Sequence, residues 1–303
     1  MEDALRLEGA ELQALTACAF RVKKQFFGDS FDLCAVKGIK EGHCSEDCKY
    51  CSQSAHYHGG AAVLPFVEFE AVQRAAESLA PTSVQRLCLV SCGKRMSDAE
   101  VDRICSYVQR IHGIDCCTSI GLSTRRQLER LKAAGVKRIH NNLETSRSFF
   151  PRVCTTHTYD EKVEVIRNAK ELGLEVCSGG LFGLGEQFRD RVELALTVRE
   201  LEVDSIPINV LNPIPGTPYE QQSVLTEEEL LRIIAVFRLM LPDREIRLCG
   251  RSVLKDHGFA AFGAGISSAI TGQLITVSGI GYEDDLKTIA AWGGFVQKAC
   301  SRT

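Results

Sequence analysis

Eight short apolar runs alternate with amphipathic helical segments along most of this chain. The apolar runs occupy residues 33–39, 86–92, 114–120, 136–142, 174–179, 205–210, 246–250 and 266–271. The helical patterns between them cover residues 66–79, 98–111, 124–134, 160–172, 190–201 and 226–240. Strands that alternate with helices indicate βαβ units and a parallel sheet. Eight such units predict an α/β fold, a (βα)8 barrel of the TIM type, with an open doubly wound sheet as the alternative.

A further helical pattern precedes the first apolar run. Leu12, Leu15, Ala19 and Val22 recur at helical spacing between residues 4 and 27, and Gly28 marks the end of the pattern. We therefore expect an N-terminal helical extension over residues 1–32 and the barrel, with a C-terminal tail, over residues 33–303. Active sites of such barrels lie at the carboxyl ends of the strands, so we look for chemistry after each apolar run.

Three cysteines lie close together just after the first apolar run. The segment EGHCSEDCKYCSQS, residues 41–54, places Cys44, Cys48 and Cys51 in a C-x3-C-x2-C spacing. An iron–sulfur cluster normally takes four cysteine ligands, so three leave one iron open. An open position is what a metal centre needs to bind a substrate or cofactor. A structural zinc site is the alternative, but such a site usually pairs one C-x2-C with a second pair of ligands, and the sequence contains no second C-x2-C.

Composition argues against several classes of protein. The net charge is −3 with both signs interspersed, whereas a nucleic-acid-binding protein would show a basic stripe. The 14 cysteines, in a chain without a charged-then-apolar leader pattern, indicate reduced thiols and cluster ligation in the cytoplasm. Residues 258–282 carry no charge, but glycines interrupt them, so we expect a buried helix and strand there and no membrane span.

Cysteines recur within the predicted strands. Cys88, Cys117 and Cys177 lie in the second, third and fifth, and Arg247 and Cys249 lie in the seventh. Side chains alternate along a strand, so Arg247 and Cys249 share one face. An isolated strand cysteine is usually a small buried apolar residue. Two interpretations stay open on the pattern alone, a second metal centre inside the barrel or ordinary buried cysteines.

Polar residues and glycines follow the fourth and fifth strands. His140, Asn142 and Glu144 alternate in sequence, which suits hydrogen bonds to a polar ligand, although a strand-end turn with a helix cap explains them equally well. The segment CSGGLFGLGE, residues 177–186, does not match the dinucleotide-binding fingerprint. Its glycines would let the backbone approach a ligand closely, or simply form a tight turn.

Taken together, these segments resemble the radical S-adenosylmethionine (SAM) superfamily. The C-x3-C-x2-C spacing is specific to the superfamily, and the flanking sequence SEDCKYCSQS is similar to its biotin synthase family. The resemblance covers residues 30–275, with several separate motifs in the family's order. It implies that Cys44, Cys48 and Cys51 hold a [4Fe-4S] cluster whose remaining iron is chelated by SAM.

The resemblance also implies an auxiliary cluster, usually [2Fe-2S], inside the barrel. The matching ligands in this sequence are Cys88, Cys117, Cys177 and Arg247. The family commonly reads R-L-S-A-G-R where this chain reads RLCGR at residues 247–251. Cys249 therefore stands in place of a serine, and one residue is missing. A fourth thiolate at Cys249 could displace Arg247 and permit a larger cluster, so the nuclearity and the choice between these two ligands stay open.

The same resemblance indicates contacts to SAM and to the substrate. The candidate SAM-binding residues are Tyr50, Glu144, Lys162, Gly180, Gly183 and Gly185. The candidate substrate-binding residues are His140, Asn142 and Asn209. Glu144 stands where an aspartate is frequent, which keeps the charge and extends the reach. Lys162 stands where many members carry an arginine, so it can pair with the methionine carboxylate of SAM but loses bidentate geometry.

The implied activity is the conversion of dethiobiotin to biotin. Reductive cleavage of SAM would give a 5′-deoxyadenosyl radical that abstracts hydrogen from two unactivated carbons, and sulfur from the auxiliary cluster would close the thiophane ring. An electron donor such as flavodoxin or ferredoxin and a homodimeric assembly are further expectations. Two alternatives stay open: another radical SAM barrel enzyme, of the hydrogenase-maturation or methylornithine type, or a non-catalytic iron- or zinc-binding protein.

Overall fold

The computed structural model describes residues 1–249, 256, 258–272 and 279–297. Its strands are β1 (Ser30–Lys40), β2 (Arg86–Ser91), β3 (Asp115–Ser119), β4 (Arg138–His140), β5 (Glu175–Cys177), β6 (Gly180–Phe182), β7 (Ser205–Val210), β8 (Glu245–Leu248), β9 (Ser268–Ile270) and β10 (Phe295–Val296). Its α-helices are α1 (Glu2–Arg6), α2 (Leu12–Phe27), α3 (Phe69–Leu79), α4 (Asp98–Arg110), α5 (Arg125–Ala134), α6 (Tyr159–Glu171), α7 (Phe188–Glu200), α8 (Glu227–Met240), α9 (Phe259–Gly263) and α10 (Tyr282–Ala291). Short 3-10 helices cover Leu7–Gly9 and Phe150–Arg152.

The strands close into a barrel. Every pairing among the described strands is parallel, and the order around the sheet is β1-β2-β3-β4-β5-β7-β8-β9. β9 then pairs with β1, where Asp32 lies opposite Ser268 and Cys34 opposite Ile270. β6 continues the fifth position beside β7, and β10 pairs with the start of β1. The predicted (βα)8 barrel is confirmed, and the open sheet was wrong as an alternative because an open sheet leaves its two edge strands unpaired.

Reciprocal caps that begin with a serine or threonine hold the start of four of the described helices. A serine or threonine hydroxyl accepts a hydrogen bond from the third helical N–H, and the Glu or Gln at that position accepts one from the cap backbone. The pairs are Ser97 with Glu100, Thr124 with Gln127, Thr158 with Glu161 and Thr226 with Glu229. Each cap contributes about 1 kcal/mol to helix stability. Because each of these loops follows a barrel strand, the caps anchor the end of the barrel where an active site is expected.

Two strands are shorter than the apolar runs that predict them. β4 ends at His140 and β5 at Cys177, whereas the runs continue to residues 142 and 179. The backbone turns there: Glu144 has a φ of 70°. Gly179 packs so closely on Pro207 that a Cβ would lie 2.1 Å from the Pro207 carbonyl oxygen, an approach that only glycine permits.

Helix α2 is joined to the barrel by buried contacts. α2 packs against α8 and α9. Lys23 of α2 is fully buried, and its Nζ lies 3.6 Å from the centre of the Phe31 ring in β1. The same Nζ donates a hydrogen bond to the Gly28 carbonyl at 3.0 Å. Burial lowers the pKa of Lys23 to about 7.

The uncharged segment near the C-terminus divides into α9 and β9 where the structure describes it. Phe262 of α9 and Ala269 of β9 are fully buried. Within the described ranges, we find no helix that combines the length and the apolar character needed to cross a bilayer. Gly250 and Arg251, which end the RLCGR segment, and residues 273–278 of the uncharged segment lie outside the described residues.

Candidate active site

Two adjoining cavities open at the carboxyl ends of the strands. The barrel cavity, about 310 Å³ in volume, lies inside the sheet. The loop cavity, about 200 Å³, lies between the loop after β1 and the ends of the strands. Residues that line both cavities are Tyr50, Ser119, His140, Asn142 and Glu144. A ligand that fills the loop cavity would therefore face a ligand inside the barrel.

The three loop cysteines line the loop cavity together. Cys44, Cys48 and Cys51 are all partly exposed and carry free thiols. The backbone N–H of Cys51 donates to the Cys48 carbonyl at 3.0 Å, which closes a tight turn. The Gly93 N–H donates to the Cys44 Sγ at 3.3 Å. Three convergent sulfur donors beside an open cavity fit an iron–sulfur cluster with one iron left for an exogenous ligand.

Two acidic residues anchor this loop to the segment that follows β4. Asp47 Oδ1 accepts hydrogen bonds from the Thr155 N–H at 2.8 Å and the Thr156 N–H at 3.1 Å. Burial opposes ionisation, but hydrogen bonds from Thr155 and its neighbours outweigh it and hold the pKa of Asp47 below its usual value. Glu46 Oε2 lies 2.6 Å from His157 Nδ1, and both side chains are buried. The cysteine loop is thus held from outside by polar contacts.

A second set of possible ligands lies behind the loop. Ligand atoms of Cys48, Cys154 and His157 all lie within 4.8 Å of one another. This set suits a single ion such as zinc, but His157 Nδ1 is already bonded to Glu46, and Cys154 does not line the loop cavity. Cys44, Cys48 and Cys51 therefore stay the predicted ligands of the cluster. The C-x2-H spacing of residues 154–157 was the sequence signal for this neighbourhood, and sequence analysis missed it.

Thiols from separate strands meet inside the barrel. Cys88, Cys117 and Cys177 line the barrel cavity, and each is less than a tenth exposed. Cys88 lies directly opposite Cys117 in the β2–β3 pairing. Cys34 of β1, which sequence analysis did not single out, packs against both of them. Burial raises the pKa of the Cys34 thiol to about 11, so in the free protein it is a neutral thiol.

A layer of paired charges lies next to these thiols. Arg247 is buried and donates to Asp32 at 2.6 Å, to Glu245 at 2.8 Å and to the Ser205 hydroxyl at 3.2 Å. Burial opposes its charge, but Asp32 and Glu245 outweigh that effect and raise the pKa of Arg247 well above its usual value. Cys249 also lines the barrel cavity, and its Sγ lies 3.7 Å from the Arg247 carbonyl oxygen.

The candidate SAM-binding residues divide into two groups. Tyr50 and Glu144 line both cavities, and Lys162 lines the loop cavity, where its Nζ donates to the Asn142 carbonyl at 2.8 Å. Burial, with Glu144 nearby, raises the pKa of the Tyr50 hydroxyl, which keeps it protonated. The other three candidates, Gly180, Gly183 and Gly185, line neither cavity.

Packing explains those glycines without a ligand. A Cβ on Gly180 would lie 2.6 Å from Leu194 and 2.8 Å from the Glu144 carbonyl oxygen. Gly183 and Gly185 have φ angles of 96° and 89°, which favour glycine. Their proposed contact with SAM stays a prediction.

The three candidate substrate-binding residues lie around the barrel cavity. Asn142 Oδ1 accepts a hydrogen bond from the Gly179 N–H at 3.0 Å, and Asn209 Nδ2 donates to the Gly180 carbonyl at 3.1 Å. These bonds orient both amides at the barrel mouth. Burial lowers the pKa of His140 to about 4, so its imidazole is neutral near pH 7. These three side chains therefore add polar but uncharged groups to the wall of the barrel cavity.

The fold and the cysteine loop define a class, the radical SAM barrel proteins. Residues 42–198 match the family model described as the radical SAM superfamily. Residues 207–294 match the model described as the biotin and thiamin synthesis associated domain. The methylornithine synthase crystal structure superposes with a TM-score of 0.85 over 98% of this chain and 94% of its own. At 19% identity that likeness shows the shared fold alone.

Sequence relatives identify one family within the radical SAM class. The chain is 44% identical over 296 residues to a biotin synthase of Akkermansia muciniphila, covering 96% of this chain and 92% of that protein. It is 42% identical over 287 residues to a biotin synthase of Clostridium botulinum, covering 93% and 90%. The chain belongs to the biotin synthase family of the radical SAM superfamily. The family resemblance inferred from the cysteine loop is thereby confirmed.

Proposed function

We propose that this protein converts dethiobiotin to biotin by radical insertion of sulfur. The observation that carries the proposal is the arrangement of the two sets of thiols. Cys44, Cys48 and Cys51 line a cavity that adjoins the barrel cavity, and Cys88, Cys117 and Cys177 line the wall of that barrel cavity. A substrate between them would have a radical source on one side and a sulfur donor on the other.

The two sets of thiols differ in what they would hold. Cys44, Cys48 and Cys51 would bind a [4Fe-4S] cluster, and the barrel thiols would bind the auxiliary iron–sulfur cluster. When bound, the first cluster with SAM supplies a carbon radical, and the auxiliary cluster supplies sulfur. The cofactors carry the difficult chemistry, and the protein binds, orients and excludes water.

Three side chains support SAM in the loop cavity. The carboxylate of Glu144, within 3.4 Å of the Asn142 amide, can accept hydrogen bonds from ribose hydroxyls. Lys162 offers a buried ammonium for the methionine carboxylate, although it now donates to a backbone carbonyl. Tyr50 keeps its proton and can donate a hydrogen bond, since burial and Glu144 raise its pKa. Each of these groups matches one polar part of SAM.

His140, Asn142 and Asn209 would bind dethiobiotin in the barrel cavity. Amide side chains can both donate to and accept from the ureido ring, which is uncharged. A neutral His140 suits the same ring, because a buried imidazolium would need a counter-ion. Side chains from all around the barrel line the cavity, which would limit the contact of a reactive carbon radical with solvent.

Three further features follow from the same proposal. Flavodoxin or ferredoxin would deliver the electron, and the enzyme would work as a homodimer. It would act in the cytoplasm, because its thiols must stay reduced. The 14 cysteines of the chain support this, because thiols are kept reduced in the cytosol.

Product analysis after anaerobic reconstitution tests the proposal. The protein is loaded with iron and sulfide and incubated with SAM, a reductant and dethiobiotin, and the products are separated by mass spectrometry. We expect both 5′-deoxyadenosine and biotin. 5′-Deoxyadenosine without biotin would indicate a different radical SAM substrate. The absence of 5′-deoxyadenosine would leave only a metal-binding role.

A further inference from the structure

We propose that Cys34 is the fourth ligand of the auxiliary cluster. Thiolates from β1, β2, β3 and β5 would then hold the cluster, and Arg247 would stay outside the ligand set as a fixed neighbouring cation. This inference rests on the proposed function, because it names the ligands of a centre which that function requires. It departs from the expectation that the fourth ligand is Arg247 or Cys249.

Packing is the first support. Cys34, Cys88 and Cys117 form a small buried cluster of their own, with Val36 and Val90 packed against it. Their exposed fractions are 8%, 6% and 3%. The three residues come from consecutive strands, and their side chains face the barrel cavity. A lone buried cysteine is usually just a small apolar residue, but Cys34 contacts two other thiols at a cavity wall.

Barrel geometry is the second support. A (βα)8 barrel fills its interior with layers of four side chains from alternate strands. Cys34, Cys117, Cys177 and Arg247 come from the first, third, fifth and seventh positions around the sheet. Cys34 lies within electrostatic range of Arg247 and Cys177, and Cys117 within range of Cys34 and Cys177. The Cys34 thiol therefore lies in the region where the other candidate thiols converge.

The contacts of Arg247 argue against its acting as a ligand. A protonated guanidinium has no lone pair to give to iron. Its guanidinium already donates to two buried carboxylates, Asp32 and Glu245, and its Nη1 donates to the Ala269 carbonyl at 3.2 Å. Ligation would require these bonds to break. As a fixed cation, Arg247 instead offsets the negative charge of a cluster with four thiolate ligands.

Cys249 lies further along the barrel axis. It follows Arg247 by two residues in sequence. β8 ends at Leu248, so Cys249 lies just past the end of the strand, on the side of the barrel mouth. That position faces the cavity above the layer that contains Cys34. Cys34 and Cys249 are therefore competing candidates for the fourth ligand.

The test uses the full chain with Cys44, Cys48 and Cys51 replaced by alanine, so that only the auxiliary cluster can form. Four variants are made in this parent: Cys34→Ser, Cys249→Ser, Arg247→Lys and Cys116→Ser. Cys116 is a buried cysteine on β3 that packs into the outer core, so it controls for removal of a buried thiol. Each protein is reconstituted anaerobically with ⁵⁷Fe and sulfide, desalted, and examined by iron and sulfide analysis and Mössbauer spectroscopy.

We expect Cys34→Ser to lower retained iron by about tenfold or more, because loss of even an outer partner of a metal ligand costs that much affinity. Any cluster that remains should show one iron site with an oxygen ligand in the Mössbauer spectrum. Cys116→Ser and Arg247→Lys should keep the parent spectrum and iron content. Circular dichroism of the metal-free proteins checks that each variant folds.

The opposite results would overturn the inference. A Cys34→Ser spectrum and iron content equal to the parent's would remove Cys34 from the ligand set. A loss of iron confined to Cys249→Ser or Arg247→Lys would assign the fourth ligand there instead. A folded parent that binds no second cluster would overturn the proposed function as well, so the two failures are distinguishable.

Discussion

The two thiol sites of this protein are built in opposite ways. The loop site takes Cys44, Cys48 and Cys51 from one continuous segment, and all three are partly exposed. The barrel site takes its thiols from strands that are far apart in sequence, and all of them are buried. Hydrogen bonds from uncharged groups to the Asp47 carboxylate anchor the loop site, whereas buried ion pairs around Arg247 support the barrel site.

The difference matches the two chemical roles. SAM must enter and its products must leave, so its iron site needs an open, loop-borne position. A sulfur donor must react with the carbon radicals of its substrate and nothing else, so a rigid sheet that excludes water suits it. Under the proposed function, one fold places an exchangeable cofactor and an enclosed reagent side by side.

The largest expected effect separates the two sites by product. Cys48→Ala should abolish 5′-deoxyadenosine formation, because the radical source loses a ligand. Cys117→Ser should abolish biotin formation but still allow cleavage of SAM, because the loop cysteines are intact. Both products are measured by mass spectrometry after anaerobic turnover with dethiobiotin. Loss of SAM cleavage in Cys117→Ser would contradict this expectation, because the two sites would then not act independently.

The next largest effect concerns the charged layer next to the barrel thiols. Glu245 accepts from Arg138 at 2.7 Å and from Arg247 at 2.8 Å, and all three side chains are largely buried. Glu245→Gln should lower the free energy of unfolding of the metal-free protein by about 3–5 kcal/mol, as for other broken buried pairs. Urea unfolding of the metal-free wild type and variant measures this difference in unfolding free energy.

The control for that substitution is Arg125→Ala, which removes an exposed pair with Glu171. It should cost about 0–1 kcal/mol. An equal effect of the two substitutions would mean that the buried charges contribute no more than surface ones.

The pH dependence of stability should reveal the same carboxylate. Burial opposes the charge of Glu245, but the arginines outweigh it and lower the folded-state pKa below the ordinary value. Its stabilisation is therefore present above the unfolded pKa of about 4.3 and is lost as the pH falls toward the folded value. The difference in urea midpoint between the wild type and Glu245→Gln should shrink from pH 7 to pH 3. A constant difference would show that the charge of Glu245 is not responsible.

The smallest effect should appear at the loop anchor. Asp47→Asn removes the charge that accepts bonds from Thr155 and Thr156, and should cost about 1–2 kcal/mol in unfolding free energy. It should also lower the fraction of reconstituted protein with a complete first cluster, while the barrel cluster is unchanged. Iron analysis of the two sites, with the other set of cysteines removed in turn, measures this. An equal loss at both sites would indicate general unfolding.

Some features of the molecule could be predicted from local sequence, and others could not. The alternation of apolar runs and helical patterns predicted the barrel, and the S/T-x-x-E/Q spacings of the capped helices mark where four helices start. Cys34 was missed because a single cysteine in an apolar run resembles an ordinary buried core residue. Asp32 and Arg247 are 215 positions apart, so no local pattern links them.

The sequence alone determined the alternating architecture and the three-cysteine loop, because periodicity and close spacing act through neighbours along the chain. Tertiary structure decided which strand thiols meet, which carboxylates surround Arg247 and that Gly179 must pass close to Pro207. Closure of the sheet brings together side chains whose distance depends on register and stagger. Those quantities arise only when all eight strands pair at once.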